Sequence, residues 1–452
     1  STKLADTKPK ASEYKFTMAV SPLDCMGCGE CVTVCPTAAI EMKPQESQSE
    51  QQAAFDYCVE NIRKKDNIPG VVSDISVKGS QFNQPLLEFS GSCAGCAETS
   101  YARLITQLFG EKMFISNATG CSSIWGGTAS ISPYTTNKES GHGPAWINSL
   151  FEDNAEHGLG MQIGYETVRA NLITKVEALK GKNAELDAVI DKFLETKNNT
   201  KANDEPAKAL IAALEACGCD ESKEILKDKQ YLAKKSFWIF GGDGWAYDIG
   251  YGGLDHVLAS GHDVNVMVFD TEMYSNTGGQ ASKASNIGEV CQFAAAGKEI
   301  SKKSLSEIAM TYGYIYVAQI ALGANMNQAV KAIAEAEAYP GPSLIIGYAP
   351  CELHGVKGGM TNCQNEMKKA VEAGYWNLFT FNPANKAQGK NPFTLTSKAV
   401  DAEKYQALLA NETRYSRLTR AFPERAKELF ARNQEVANDR YEHLTRLVEL
   451  YK

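Results

Sequence analysis

The stretch Ser236–Lys283, SFWIFGGDGWAYDIGYGGLDHVLASGHDVNVMVFDTEMYSNTGGQASK, decides the fold. An apolar run, Phe237–Phe240, delivers Gly242-Asp243-Gly244; a helical pattern covers Tyr251–Ser260, and a second apolar run, Val264–Phe269, delivers Asp270-Thr271. Strand, helix, strand at this spacing is a crossover unit of a parallel sheet. Asp243 and Thr271 therefore leave the same end of neighbouring strands, where open α/β sheets place their ligands. Magnesium takes an octahedron of oxygens and commonly bridges a diphosphate to a carboxylate. Asp243 offers that carboxylate, Thr271 a hydroxyl and Met273 a backbone carbonyl. Gly244 admits close approach of amides to phosphate, and the helix N-terminus beyond it favours the negative charge. The bland alternative is a cluster of turn glycines with a capping aspartate.

Working outward, Tyr314–Gln319 and Leu344–Tyr348 extend the sheet, with helical patterns near Lys303–Thr311 and Asn325–Ala338 between them. Residues 161–235 change character: Ala, Glu, Lys and Leu repeat, as in AELDAVIDKFLETK (184–197), which predicts a solvent-washed helical insertion. Residues 85–160, rich in glycine, cysteine and small residues, read as loops over a scaffold. Residues 400–452 read as a helix pair broken at Pro423. The Lys-rich opening, residues 1–20, reads as a linker or strand edge, and residues 45–80, with QESQSEQQ at 45–52, as a polar connector.

The 452 residues suggest two to four domains at about 150 residues each. Hydrophobic residues make up 43% and charged residues 22%, an ordinary globular balance. A net charge of −8 argues against a nucleic-acid binder. No apolar run reaches the roughly 18 residues of a membrane span, and the first twenty residues have no apolar block of a secretory signal. The chain opens on Ser1, as a processed chain or a fragment does. Thirteen cysteines, odd in number and tightly clustered, are unlike a secreted disulfide framework. They suit thiolate ligands in the reducing cytoplasm.

Cys25, Cys28, Cys31 and Cys35-Pro36 have the C-x2-C-x2-C-x3-C-P spacing of bacterial 4Fe–4S ferredoxins. In two-cluster domains the fourth cysteine serves the other cluster, so the first three need a ligand from elsewhere. This chain has no second such run. Half of the domain lies upstream, or Cys58 substitutes; Cys58 sits in a helical pattern, FDYCVENIRKK, and reads as structural. Cys93 and Cys96 form a C-x2-C pair, Cys121 lies in ATGCSSIWGG, and Cys351 follows a strand end in YAPCELHG. From spacing alone these four either close a cluster site or are buried free thiols. Cys217-Gly218-Cys219, Cys291 and Cys363 read as structural or incidental. The six histidines have no ligand spacing, although His142 in SGHGPAW is placed to line a cleft.

GDGWAYDIGYGG, DTEMYSNTGGQ, FSGSCAGCAET and NATGCSSIWGG together resemble, in that family's order, the C-terminal part of pyruvate:ferredoxin (flavodoxin) oxidoreductase, and the resemblance runs over nearly the whole chain. It implies a thiamine-diphosphate-binding α/β fold, a mostly parallel sheet flanked by helices, preceded by a partial ferredoxin-like α+β cluster domain. The implied boundaries are 1–60 for the ferredoxin-like part, 61–84 for a connector, 85–400 for the thiamine domain and 401–452 for a helical segment. The implied reaction is oxidative decarboxylation of pyruvate with coenzyme A to acetyl-CoA and CO2, electrons passing one at a time through 4Fe–4S clusters to ferredoxin or flavodoxin. Relatives acting on 2-oxoglutarate or indolepyruvate, or an electron-transfer subunit, are the alternatives.

Carried over residue by residue, the resemblance gives Asp243, Thr271 and the Met273 carbonyl to magnesium. Gly242, Asp243, Gly244 and Trp245, with Thr271, Glu272, Met273, Tyr274, Ser275 and Asn276, would hold the diphosphate. Glu98 and the neighbourhood of Cys121 would touch the thiamine, and Asn276 would lie near the reacting carbon. Cys93, Cys96, Cys121 and Cys351 would ligate a proximal 4Fe–4S cluster. The family's N-terminal glutamate and pyruvate-binding residues are not found here. A missing N-terminal segment or companion chain is expected, and a homo-oligomer.

Overall fold

The computed structural model describes residues 5–6, 15–63, 73–127 and 131–452. An eight-stranded sheet runs through its centre. In chain order the strands are β1 (Met113–Ala118), β2 (Ala145–Ser149), β3 (Ser236–Gly242), β4 (Asn265–Asp270), β5 (Tyr316–Ile320), β6 (Ser343–Tyr348), β7 (Phe379–Phe381) and β8 (Phe393–Leu395). They lie side by side as β8-β7-β5-β6-β4-β3-β1-β2. Every pairing from β5 across to β2 is parallel, and β7 and β8 close one edge antiparallel. β4 and β6 are buried at every position and β3 at all but Gly242. Burial on both faces is why these strands read as unbroken apolar runs rather than alternating ones.

Helices cover both faces. Helix Ala97–Phe109 is pinned by Tyr101, whose hydroxyl donates to the Tyr348 carbonyl (2.8 Å) and accepts from Leu322 N–H (3.1 Å). Helices Asn154–Glu177 and Tyr251–Ala259 pack together against the strands. Helices Ala184–Thr196, Asp204–Cys217 and Asp220–Leu226 join the far end of Asn154–Glu177 around a second small core of Leu172, Val176, Ile190, Phe193, Leu210 and Leu214. Three helices finish the chain, Ala402–Asn411, Thr413–Ala421 and Pro423–Leu450. Pro423 takes the first turn of the last one, where its missing N–H has no partner to lose. Ile287 and Val290 pack on Leu418, Ala426 and Leu429, so these helices grip the loop after β4.

The expected central strands and helices are present within about two residues. Residues 85–160 differ from the loop reading: they hold helix Ala97–Phe109, β1, helix Cys121–Gly127 and β2. β1 carries Ser116 and Asn117, polar residues that interrupt the apolar run of a buried strand. Both are buried and paired: Ser116 Oγ with Asn154 Oδ1 (2.6 Å) and His157 Nδ1 (2.8 Å), Asn117 Nδ2 with Asn148 Oδ1 (3.3 Å). Within the expected 45–80 connector, Ser49–Asn61 is a helix of Gln, Glu and Ala, which favour one. The C-terminal stretch is three helices, not two. Of the Lys-rich opening, Ala5–Asp6 pairs with Lys15–Phe16; residues 1–4 and 7–14, and 64–72 of the connector, lie outside the described residues. No helix among the described residues is long and apolar enough to cross a membrane.

At the sheet edge opposite the expected site, Glu337 Oε2 accepts from Ser236 Oγ (2.5 Å), Trp238 Nε1 (3.2 Å) and Asn265 Nδ2 (3.2 Å), tying a helix to the starts of β3 and β4. Burial pushes this carboxyl up to about 7. A proton held more tightly in the folded state stabilises below the ordinary carboxyl range, and that stability is lost as pH rises through about 7. Glu337→Gln should remove this term. In urea titrations the variant should gain on the parent protein as pH rises from about 4.5 to 7, by at most about 1.4 kcal/mol per pH unit; parallel pH profiles would count against the assignment.

Candidate functional site

Four neighbouring parallel strands end at one edge, and each delivers a residue singled out in the sequence. β3 leads to Asp243, β4 to Thr271, β6 to Cys351 and β1 to Cys121. After Asp243 the chain makes a π-helical turn, Gly244–Ile249, closed by Gly250 N–H to the Trp245 carbonyl (2.8 Å). Such wide turns recur at functional sites. A side-chain carbon at Gly244 would lie 2.6 Å from the Tyr274 ring, so the two proposed phosphate loops pack directly on each other. Trp245 is fully buried, and its indole N–H has no partner among the described residues.

The three oxygens expected at magnesium come together. Thr271 Oγ1 lies 2.9 Å from Asp243 Oδ1, 3.0 Å from the Met273 carbonyl and 2.6 Å from Ser275 Oγ. A hydroxyl has one proton, so it cannot satisfy Asp243 and Met273 together. Oxygens about 2.0–2.1 Å from magnesium at right angles stand about 2.9 Å apart, and the Thr271–Asp243 and Thr271–Met273 spacings match. The other partners of Asp243 are neutral donors, Thr271 N–H (3.1 Å) and Ser282 Oγ (2.6 Å). Burial, then the nearby Asp270 charge, push its carboxyl well above the usual range. A cation at this oxygen triangle relieves both problems, so the donor set fits magnesium.

Behind the triangle lies a buried charge network. Lys302 Nζ is 2.8 Å from Asp270 and 2.9 Å from Glu272; Arg414 is 2.8 Å from Glu272, 3.3 Å from Glu289 and 2.7 Å from Glu412. Glu272 also accepts from Tyr375 (2.6 Å) and Asn286 (2.7 Å). Burial pushes its carboxyl up, but Lys302 and Arg414 outweigh that and hold it at about 2. Glu272 thus braces the loop, and its side chain points away from the phosphate role expected of it. His354 Nε2 donates to the Thr271 carbonyl (2.8 Å), while its Nδ1 accepts Cys351 N–H (3.4 Å). Burial holds this imidazole neutral, with its titration near 3. One histidine therefore joins the metal loop to the cysteine loop.

Cys93 and Cys96 precede helix Ala97–Phe109, whose first turn carries Glu98. Glu98 is buried, accepts from Trp125 Nε1 (2.9 Å) and is pushed by burial up to about 7. The Cys121 thiol is raised by burial and then by Glu98, Cys351 and Cys93, and Cys96 by burial, Glu98 and Cys351 against the backbone hydrogen bonds of Glu98 and Thr99. The four sulfurs and Glu98 thus share one region. Among the described residues no three Cys, His, Asp or Glu side chains close on a single ion; a cubane, with one thiolate to each iron, needs sulfurs set wider apart. All thirteen cysteines are free, and the set fits a four-iron cluster.

In the first run, Gly27 and Gly29 take left-handed angles (φ 70 and 75), curling the loop around short helix Glu30–Thr33. Burial and then the charges of Cys28 and Cys25 raise Cys31. Cys35 stands apart: its sulfur accepts Ala39 N–H (3.2 Å) and is held below the thiol range by that bond and by Thr37. Cys58 lies on helix Ser49–Asn61. Residues 360–364 run between the two cysteine sets. Thr33 Oγ1 donates to the Thr361 carbonyl (2.6 Å), and a side-chain carbon at Gly95 would lie 2.5 Å from the Met360 carbonyl. Buried Cys363 feels the charges of both Cys351 and Cys28. Asn276 sits exposed at the tip of the hairpin Met273–Tyr274/Gln280–Ala281, and His142 is exposed on a turn. Sequence reading gave no role to Ser282, Lys302, His354, Trp125 or Arg414; Ser282, Trp125 and His354 lie in the quoted stretches, but none has ligand spacing.

Two substitutions test this geometry. Asp243→Asn should weaken magnesium-dependent thiamine diphosphate binding, followed by calorimetry, by more than roughly 10- to 100-fold, with little change in folding. Arg414→Met leaves Glu272, Glu289 and Glu412 short of their cation, and should cost about 3–5 kcal/mol in denaturant unfolding.

Two family models match this chain. Residues 226–346 match the family model "Thiamine pyrophosphate enzyme, C-terminal TPP binding domain", and residues 18–41 match "4Fe-4S binding domain". The pyruvate-flavodoxin oxidoreductase of Klebsiella pneumoniae is 50% identical over 97% of this chain and 37% of its own length. The pyruvate:ferredoxin oxidoreductase of Moorella thermoacetica is 50% identical over 97% of this chain and 38% of its own. The mitochondrial pyruvate dehydrogenase [NADP(+)] of Euglena gracilis is 45% identical over 98% of this chain and 25% of its own. The chain thus spans less than two-fifths of each of these relatives. With half its residues identical along nearly all its length, and with thiamine pyrophosphate and 4Fe–4S domains both matched, the chain is similar to one segment of the pyruvate-flavodoxin and pyruvate:ferredoxin oxidoreductases.

Proposed function

We propose that this chain forms the thiamine-diphosphate and cluster-bearing part of a cytoplasmic, homo-oligomeric enzyme that oxidatively decarboxylates pyruvate with coenzyme A. The products are acetyl-CoA and CO2, and the electrons pass through 4Fe–4S clusters to ferredoxin or flavodoxin. One observation carries the reading: the oxygen triangle of Asp243, Thr271 and Met273 and the cysteines 93, 96, 121 and 351 gather at one sheet edge, with Glu98 among the sulfurs. A metal–diphosphate clamp beside an electron acceptor suits a decarboxylation that releases electrons singly.

Asp243, Thr271 and the Met273 carbonyl hold magnesium; Gly242–Trp245 and Thr271–Asn276 hold the diphosphate, with Glu272 bracing the second loop from behind. Asn276 lies near the reacting carbon. Bound thiamine diphosphate supplies the carbon nucleophile for the 2-oxo group and the electron sink for loss of CO2. Glu98, titrating near neutrality, gives or takes a hydrogen bond beside the thiamine. Cys93, Cys96, Cys121 and Cys351 hold the proximal cluster, and Cys25, Cys28 and Cys31 three irons of a second, with Cys35 assigned to a further cluster. Residues 360–364 bridge the two sets. The ferredoxin-like part ends near residue 60, the thiamine part covers about 85–400, and the pyruvate carboxylate is met by a preceding segment or companion chain.

The test is anaerobic reconstitution of the holoenzyme with iron, sulfide, magnesium and thiamine diphosphate, followed by EPR. Pyruvate should reduce a cluster in a single turnover, with 2-oxoglutarate inert. Ferredoxin or flavodoxin should reoxidise it, and NADP+ should not. Cys351→Ser should lose the proximal signal while thiamine diphosphate still binds. Cofactor binding with a dithionite-reducible cluster that no 2-oxoacid reduces would refute the proposed reaction.

A further inference from the structure

The helical lobe built on residues 172–232 has its own core and takes no part in the site above. At one of its turns helix Asp204–Cys217 ends, Gly218 takes the left-handed angles φ 61 and ψ 8, and helix Asp220–Leu226 begins. Residues two apart on a continuous helix face different ways. The left-handed glycine breaks that pattern, and the Cys217 and Cys219 sulfurs come to 3.1 Å. Cys219 Sγ is also 3.1 Å from Ser222 Oγ. Cys217 is exposed, while Cys219 is partly covered by the lobe core. Hydrogen bonds from Ser222 and Cys219, with Lys182 nearby, hold the Cys217 thiol below its ordinary range. A purely structural pair has no use for an exposed, thiolate-prone member. A metal has no third ligand among the described residues.

We propose that Cys217 and Cys219 form a thiol–disulfide exchange site for small-molecule disulfides, with Cys217 attacking and Cys219 resolving. The Cys217 thiolate attacks one sulfur of a disulfide RSSR; a Cys217–SR bond forms, the S–S bond breaks and RS⁻ leaves. Cys219 loses its proton to that departing thiolate or to water, attacks Cys217 Sγ and expels the second RS⁻. The balance is RSSR plus two cysteine thiols going to one Cys217–Cys219 disulfide plus two RSH, with two electrons and two protons passing to RSSR. The second step is favoured by proximity: a disulfide bond of about 2.05 Å lies only about 1 Å of travel from the observed separation.

Glutathione disulfide in excess serves as the probe on the anaerobic holoenzyme. After alkylation, cleavage at Lys208 and Lys223 releases one peptide holding both cysteines. In the parent protein this peptide should lose the mass of two hydrogens, resist alkylation, and recover both thiols in dithiothreitol. Cys219→Ser should stop at one glutathione on Cys217. Cys217→Ser should take up glutathione at least tenfold more slowly than Cys219→Ser. Two free thiols in the parent protein, a lasting glutathione adduct, or a bridge to another cysteine would overturn the site, and equal uptake by the two variants would overturn the order. Neither substitution touches a residue placed at the cofactor or the clusters.

Discussion

Glu272 holds a left-handed backbone angle, φ 61, between two residues of the proposed metal clamp, and its buried side chain keeps it there. Such an angle in a residue other than glycine costs about 1–3 kcal/mol. Lys302, Arg414, Tyr375 and Asn286 all converge on its carboxylate and offset that cost. The turn sets Thr271 Oγ1 beside the Met273 carbonyl and within hydrogen-bond reach of Asp243. Removing a brace would therefore move the metal ligands without touching them. The anchors come from far along the chain: Lys302 follows the hairpin, and Arg414 belongs to the terminal helices. The C-terminal helices are thus part of the scaffold of the diphosphate loop.

The second condition is topological. Side chains separated by more than two hundred residues meet because four parallel strands stop at one edge. The proposed metal clamp and cluster site use loops of the neighbouring strands β4 and β6, and His354 ties those loops by bridging the Thr271 carbonyl and the Cys351 amide. Residues 360–364 extend the same construction outward, touching the ferredoxin-like loop through Thr33 and the Gly95 turn through Met360.

The central sheet was legible in the sequence because strands buried on both faces are apolar throughout: Val266–Phe269 and Leu344–Ile346 have no other plausible reading. β1 was not, because Ser116 and Asn117 are polar residues buried by virtue of partners, Asn154 and Asn148, that only the tertiary fold supplies. β7 and β8 have three residues each, too few for a period to show. Asp243 and Thr271 were legible because a carboxylate and a hydroxyl at matching strand ends form a pattern. The residues that hold the clamp were not. Arg414 is one of several arginines in an amphipathic helix, and its role depends on where that helix docks. His354 was passed over because supporting residues obey no ligand spacing; its position after Cys351 was the only available clue.

The spread of the proximal cysteines also bears on how the protein is made. Cys93 and Cys96 leave the ribosome more than two hundred and fifty residues before Cys351. At about 5–20 residues per second that is an interval of tens of seconds or less, during which the first pair has no completed shell around it. Cys121 and Cys351 are partly covered once β1 and β6 enter the sheet. A cluster held by these four thiols could be completed only after β6 is synthesised and Cys351 joins the other three.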